Sequence, residues 1–379
     1  MTETKERLEK LFSEDIASCQ LRERTAFNEI TKAASGIVLF GAGGLGRKVL
    51  KTLRSDGVEP LGFIDNKLAG SVVDEVKVYA PSKAADKWAA SATFVVTIWA
   101  SWADNMREQI RSLRDLGCAT VTSFIPLLWK YPHLLPHVQI DLPSRVLERK
   151  ADVLKAFDLW TDEQSRREFV AQLRWRLLGD FDTLSDPIPN QYWQRDLIHL
   201  GKDAVFADAG AFDGDTLAQF VSFTGCEFRR AFLFEPDRRN VAAIRDRLSF
   251  MPADIRARVQ VFDFAVAEKE YDVSFCGGVG PSSAPGPGSE VVHCVSLDNM
   301  LPEPPQLIKY DIEGFELLGL SGTRHIIADH APFLAVCVYH IQSHLWDVPL
   351  LIHKINPNYK FYLRPHGQIW ETVCYAIPN

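Results

Sequence analysis

The chain lacks any pair of cysteines in a C-x-x-C arrangement: its seven thiols stand alone at 19, 118, 226, 276, 294, 337 and 374. A disulfide framework or a cysteine-ligated zinc site is therefore not expected, and reduced thiols of a cytoplasmic protein are. No apolar run approaches the ~18 residues of a membrane span. The start, MTETKERLEKLF, is charged and has no apolar centre of the kind a signal peptide needs. Positive charge is also short: 42 Lys and Arg against 49 Asp and Glu leave a net charge of −7. That balance argues against a general nucleic-acid or anionic-membrane binder, and the short basic runs at 229–231 and 245–247 read as solvated faces. No internal repeat and no H-E-x-x-H zinc motif is present.

What is there belongs to a globular α/β protein. With 46% hydrophobic and 24% charged residues in a chain of 379, two domains are expected. Residues 1–35 read as an amino-terminal helical segment, with Leu8, Leu11, Phe12, Ile16, Phe27 and Ile30 at roughly helical spacing, able to pack on the adjoining domain or to build a homodimer. Residues 36–135 read as a Rossmann-like domain. A connector over 136–191 is expected to be helical from about 145 to 181, with Thr161 and Gln164 as a capping box and Trp160 and Trp175 as packing residues. The stretch 124–137 leads into it, and its prolines at 126, 132 and 136 forbid a continuous helix and suit a path over a surface. The last domain spans 192–379.

Two Gly-rich strand–turn–helix motifs carry the functional signal. In IVLFGAGGLGRKVL, Gly41, Gly43 and Gly46 follow a strand in the G-x-G-x-x-G arrangement, and Asp65 stands 19 residues later at the end of LGFID. Helix-start amides of this kind bind pyrophosphate and the acid takes the ribose. The strand 93–100 is expected to end over the same crevice. A bound nucleotide or sugar nucleotide and a degenerate scaffold domain both fit.

The second motif, VFADAGAFDGDT at 205–216, is followed by FLFEPD at 232–237. Asp208 emerges at a strand end. Gly210 and Gly214 let backbone approach a ligand, Phe212 sits between them, and Asp215 and Thr216 open a helix. Glu235 ends the next strand, where a carboxylate can accept hydrogen bonds from two ribose hydroxyls. The acids Asp208, Asp213 and Asp215 would repel a pyrophosphate and attract a ligand bearing a sulfonium and an ammonium group, which is S-adenosylmethionine. Asp263, closing VQVFD, can reach an adenine amino group or cap a helix.

The carboxyl-terminal half resembles the FkbM family of S-adenosylmethionine-dependent methyltransferases. The resemblance rests on VFADAGAFDGDT, FLFEPD, IKYDIEGFE at 308–316, LAVCVYH at 334–340, LWDVPL at 345–350, YKFYLR at 359–364 and WETVCYAIP at 370–378, together about 195–379. It implies a mostly parallel methyltransferase sheet ending in an antiparallel hairpin, so that the whole chain holds two Rossmann-like domains. It also implies O-methylation of a hydroxyl on a sugar or natural product. Strands are expected at 203–208, 231–235, 259–264, 306–311, 333–339, 358–364 and 370–376. The Gly-, Pro- and Ser-rich stretch 277–289, with Ser282 and Ser283 matching the family's habit, is a lid or a plain surface loop.

A hydroxyl acceptor needs a base, because aliphatic hydroxyls ionise only far above neutral pH. His340 is the candidate by intrinsic pKa. Asp311 can bind the methionine ammonium or orient the acceptor, and Lys309 can pair with Asp311 or steady a developing alkoxide. His340 and His344 are four apart, and Asp311 with Glu313 can add oxygens, yet no second cluster completes a set, so no metal is assigned. A NAD(P)-dependent oxidoreductase using Gly41 to Gly46, and a non-catalytic nucleotide sensor, are the other readings.

Overall fold

A computed structural model of the chain describes residues 3–32, 34–99, 106–132, 140–277, 284–285, 290–367 and 369–379. The chain divides into two compact units: Met1–Lys150 with Val170–Ser185, and Ala151–Phe169 with Asp186–Asn379. The division falls inside the helix Glu163–Leu178.

In the first unit the helices Glu3–Leu11 and Ile16–Thr31 come first. The Asp15 carboxylate caps the second by accepting from the Ser18 amide at 2.9 Å. The strands are β1 (Ile37–Phe40), β2 (Gly62–Ile64), β3 (Val72–Val73), β4 (Val76–Tyr79), β5 (Thr93–Val96) and β6 (Thr120–Ser123). They form one sheet in the order β3-β4-β2-β1-β5-β6, parallel except where β3 meets β4. All of β1, IVLF, is buried, as a strand covered on both faces requires. β5 stops at Val96, short of the expected 93–100, and Ala100 lies outside the described residues.

The second unit contains β7 (Val205–Ala209), β8 (Arg230–Phe234), β9 (Val259–Phe262), β10 (Ala265–Val266), β11 (Tyr271–Cys276), β12 (Ala284–Pro285), β13 (Glu290–Val295), β14 (Leu307–Tyr310), β15 (Phe333–Cys337), β16 (Tyr359–Pro365) and β17 (Thr372–Pro378). Seven of them form the main sheet, in the order β16-β17-β15-β14-β7-β8-β9. β9, β8, β7, β14 and β15 run parallel, while β17 runs antiparallel to both β15 and β16. The expected parallel sheet with a carboxyl-terminal hairpin is thus observed. The chain crosses from one half of the sheet to the other between β7 and β14, and ligands of open α/β sheets sit at such a crossing. Trp193, Phe206, Phe220 and Phe228 pack under β7, with Phe206 and Phe220 ring centroids 4.8 Å apart. That packing holds the helix Asp215–Phe223 against the strand that precedes it.

Two further features differ from the sequence reading. A second sheet, β10-β13-β11-β12, was not expected. Its strands bury only a small core of Ala265, Ala267, Phe275, Val292 and Cys294, and Val291 is exposed, so their pattern is weak. The cap of the helix Glu163–Leu178 is Asp162, not Thr161: Asp162 accepts from the Ser165 amide at 2.8 Å, while the Thr161 hydroxyl accepts from the Phe361 amide. The stretch 278–283, with Ser282 and Ser283, and Pro136 lie outside the described residues. Among the described residues no helix is long and apolar enough to cross a membrane.

Candidate active site

The turn after β7 is built by steric necessity. Gly210 has φ +82°, and a Cβ there would stand 1.9 Å from the Asp311 carbonyl oxygen, so only glycine allows the β7 and β14 turns to approach this closely. Gly214, at φ +83°, is the N-cap of the helix Asp215–Phe223. Between them Phe212, at φ +47°, donates its amide to Glu235 Oε2 at 2.9 Å. Glu235 is 5% exposed at the end of β8, and its Oε1 accepts from the Asp237 amide and Asn240 Nδ2. Burial raises its pKa above the ordinary value, opposed by those three donors. A buried, oriented carboxylate beside a glycine turn suits two vicinal hydroxyls.

Asp208 and Lys309 are register partners on β7 and β14, and their side chains form a buried ion pair at 3.0 Å. Lys309 Nζ also donates to the Gly210 carbonyl at 2.5 Å. Burial pushes the Asp208 carboxyl up to about 6, against the pull of Lys309. Burial works against the Lys309 ammonium as well, but Asp208 and Asp311 outweigh it and hold the pKa above the ordinary value. The expected Lys309–Asp311 pairing is therefore replaced by Lys309–Asp208. Lys309 thus lies under the turn, tied to both Asp208 and the Gly210 carbonyl. The expected discrimination against pyrophosphate is weaker too: Asp208 is paired, and Asp213 binds Arg247 at 2.6 Å. Asp215 is exposed, Thr216 is buried in the first helical turn, and Asp263 is exposed just beyond β9.

The next two strand ends supply the polar cluster. Asp311 follows β14. Its Oδ2 accepts from the Tyr192 hydroxyl at 2.8 Å and its Oδ1 from the Tyr339 hydroxyl at 3.3 Å. His340 stands three residues past β15, which ends at Cys337 rather than at 339. It is 2% exposed, with Nδ1 2.7 Å from Glu316 Oε1 and Nε2 3.3 Å from Asp311 Oδ1 and 3.6 Å from Glu313 Oε1. Burial alone would lower the His340 pKa, but Glu316, Glu313 and Asp311 outweigh it and hold the imidazole well above its ordinary value. Neighbours that favour the protonated imidazole weigh against the expected role of ready base, which rested on its intrinsic pKa alone. His344 turns to the far oxygen of Glu316, at 3.0 Å, and does not join His340.

Tyr192, Glu316, Tyr339 and Glu371 were not singled out by sequence. Glu316 was readable as the last acid of IEGFE, and Tyr339 as the neighbour of His340. Backbone strain marks the same place: Tyr192, Phe212, Glu313 and Glu371 all have positive φ, a conformation that non-glycine residues rarely adopt.

In the first unit, the structure brings Gly41, Gly43, Gly46 and Asp65 together. A Cβ on Gly46 would meet the Gly41 carbonyl oxygen at 1.9 Å, whereas Gly43 faces open space. Asp65 turns to its own chain, accepting from the amides of Ala42, Lys67 and Leu68.

No family model and no curated protein matches the chain. Among solved structures, the methyltransferase FkbM from Methylobacillus flagellatus KT is similar over 94% of this chain and 93% of that one, with a TM-score of 0.75 at 21% identity. Precorrin-6y C5,15-methyltransferase from Geobacter metallireducens GS-15 overlaps 47% of this chain and 80% of that one, at 12% identity and a TM-score of 0.29, too low to carry weight. By fold, then, the chain is similar to a methyltransferase over nearly its whole length, and the likeness first read from VFADAGAFDGDT onward extends through the amino-terminal unit.

Proposed function

We propose that the chain is an S-adenosylmethionine-dependent O-methyltransferase of the FkbM family, acting on a hydroxyl of a small sugar or natural-product acceptor. The observation that carries this reading is buried Glu235 bonded to the Gly210–Gly214 turn at the sheet's crossing point, with Asp311 and His340 at the next two strand ends. The fit to the cofactor is supported by Asp208 Oδ2, fully buried and without a hydrogen-bond partner beside the turn. Glu235 would hold the ribose, the Gly210–Gly214 backbone and Asp215 with Thr216 would line the amino-acid end, and Asp263 would meet the adenine.

The bound cofactor supplies an electrophilic methyl on a sulfonium. Transfer would break the C–S bond, form a C–O bond and leave S-adenosylhomocysteine, while the proton of the acceptor hydroxyl would pass to the Asp311 carboxylate beside it. Asp311 is placed to orient that hydroxyl, with Tyr192 and Tyr339 fixing its carboxylate. Alignment of this sort lowers a barrier by several kcal/mol.

The test is incubation of the full chain with cofactor carrying an isotopically labelled methyl and a panel of polyhydroxylated acceptors. Label appearing as a methyl ether, with acceptor-dependent S-adenosylhomocysteine, is the expected result. Label on nitrogen or carbon would contradict the O-methyl assignment.

A second reading, an oxidoreductase holding a dinucleotide at Gly41 to Gly46, draws on the open space at Gly43. Tyr79 and Lys83 even have the Tyr-x-x-x-Lys spacing of short-chain dehydrogenases. Tyr79 ends β4, however, and Lys83 lies on the next helix, paired with Asp86 at 3.6 Å, so they do not share one helix face. We therefore keep the first unit's turn as a nucleotide-holding module at most.

A further inference from the structure

His340 and His344 stand four apart in sequence, and the structure turns them to different oxygens of Glu316. His340 Nδ1 meets Glu316 Oε1, which also accepts from the amides of Ile312 at 3.0 Å and Gly314 at 3.4 Å. Glu316 is fully buried, and His344 Nδ1 lies 3.0 Å from its other oxygen. An acid with this many donors is an ionised acceptor, so Nδ1 carries a proton toward it. That leaves Nε2 as the outward nitrogen. It belongs to a side chain only 2% exposed, has no hydrogen-bond partner among the described residues, and faces two carboxylate oxygens at 3.3 and 3.6 Å.

A bare imidazole lone pair aimed at two carboxylates is repulsive, so something positive belongs between them. Asp311, Glu313 and His340 each offer one atom within 4.8 Å of the others. Donors that share a cation at ~2.1 Å lie about 3.0 to 3.4 Å apart, close to the 3.3 and 3.6 Å from His340 Nε2 to the two carboxylates. A metal-binding histidine typically donates its other N–H to a carboxylate, which is the part Glu316 plays. Glu313 is fixed for this by a left-handed backbone, φ +52°, followed by Gly314 at φ +103°.

We infer that Asp311, Glu313 and His340 form a site for a divalent first-row cation. One imidazole with two carboxylates suits Mn²⁺ or Zn²⁺ better than Mg²⁺, which prefers oxygen alone. Three ligands from one side leave coordination positions for acceptor oxygens. On the proposed methyltransferase reading, the acceptor carries a second oxygen beside the reacting hydroxyl, and the cation lowers that hydroxyl's pKa. The rival occupant of the same place is a proton on Nε2.

The experiment is calorimetric titration of the chelator-treated full chain with Mn²⁺, Zn²⁺ and, for comparison, Mg²⁺, with S-adenosylhomocysteine binding measured on the same samples. Expected is one site per chain for Mn²⁺ or Zn²⁺, weakened in Glu313→Gln and in His340→Ala by at least about 10-fold, the smallest loss typical even of an outer-shell partner. Glu313 is half-buried at a turn, so its variant keeps the test meaningful should the His340 variant fold poorly. Absence of a site in the wild-type protein, or unchanged affinity in a Glu313→Gln protein, would overturn the inference. The two proposals fail separately: homocysteine-product binding without metal sinks the metal site alone, and metal without that product sinks the methyltransferase reading alone.

Discussion

The two Gly-rich turns look alike in sequence and differ in what surrounds them. At Gly41 to Gly46 the nearby acid, Asp65, is bonded to three amides of its own chain, and Gly43 faces open space. At Gly210 to Gly214 the neighbours are a buried ion pair, a buried Glu235 and an imidazole among three carboxylates. A glycine pattern reports only that backbone comes close to something. Whether chemistry results depends on buried charge brought in from other strands, which the first turn does not gather among the described residues.

Substitutions at matched positions break that comparison most sharply. Gly210→Val places a Cβ against the Asp311 carbonyl and forces φ +82° on a β-branched residue, so a loss on the order of 4 kcal/mol is expected. Gly43→Val meets nothing within 4 Å and should lose less than about 1 kcal/mol. Denaturant unfolding of both variants checks this, and equal losses would contradict the contrast.

Next in size, Lys309→Met strands Asp208 in the core and should lose about 3 to 5 kcal/mol, while Asp208→Asn combined with Lys309→Met should recover part of it. A double variant no better than the single would mean the pair is not coupled.

Acid sensitivity is expected of the second unit, which holds every described histidine. His366 donates Nδ1–H to the Ile188 carbonyl, and its Nε2 accepts from the Tyr375 hydroxyl, which itself accepts from the Tyr192 amide. Burial lowers its pKa to about 4, below its ordinary value of 6.5. The unfolded chain thus binds the proton more readily between those values. His366 contributes stability fully above pH 6.5, and this is lost as pH falls toward 4, by on the order of 3 kcal/mol. His366→Gln should flatten the stability–pH curve in that window, and an unchanged slope would assign the acid sensitivity elsewhere.

Much of this was legible in the chain. Continuous apolar runs such as VFADA and FLFEP gave the parallel strands within two residues, because strands buried on both faces leave that pattern. Glu235 was legible because a strand-end acid after a glycine turn is local in sequence. The partner of Lys309 was not, because alternation places Asp311 on the same face but cannot say that register sets Asp208 directly opposite. The state of His340 depended on Glu316, 24 residues away, whose burial no local pattern announces. The sheet built from β10 to β13 was missed because half-exposed strands beside a Gly/Pro-rich run carry little periodicity.

The smallest predicted change bears on the central claim. It is read by calorimetric titration of the wild type, Glu235→Gln and Gly43→Val with S-adenosylhomocysteine, and separately with NAD and NADP. Wild type and Gly43→Val should bind the homocysteine product alike, with Glu235→Gln weaker by about 1 to 3 kcal/mol, the value of hydrogen bonds to a charged group. Dinucleotide binding lost in Gly43→Val, with no binding of S-adenosylhomocysteine by any of the three, would contradict the account.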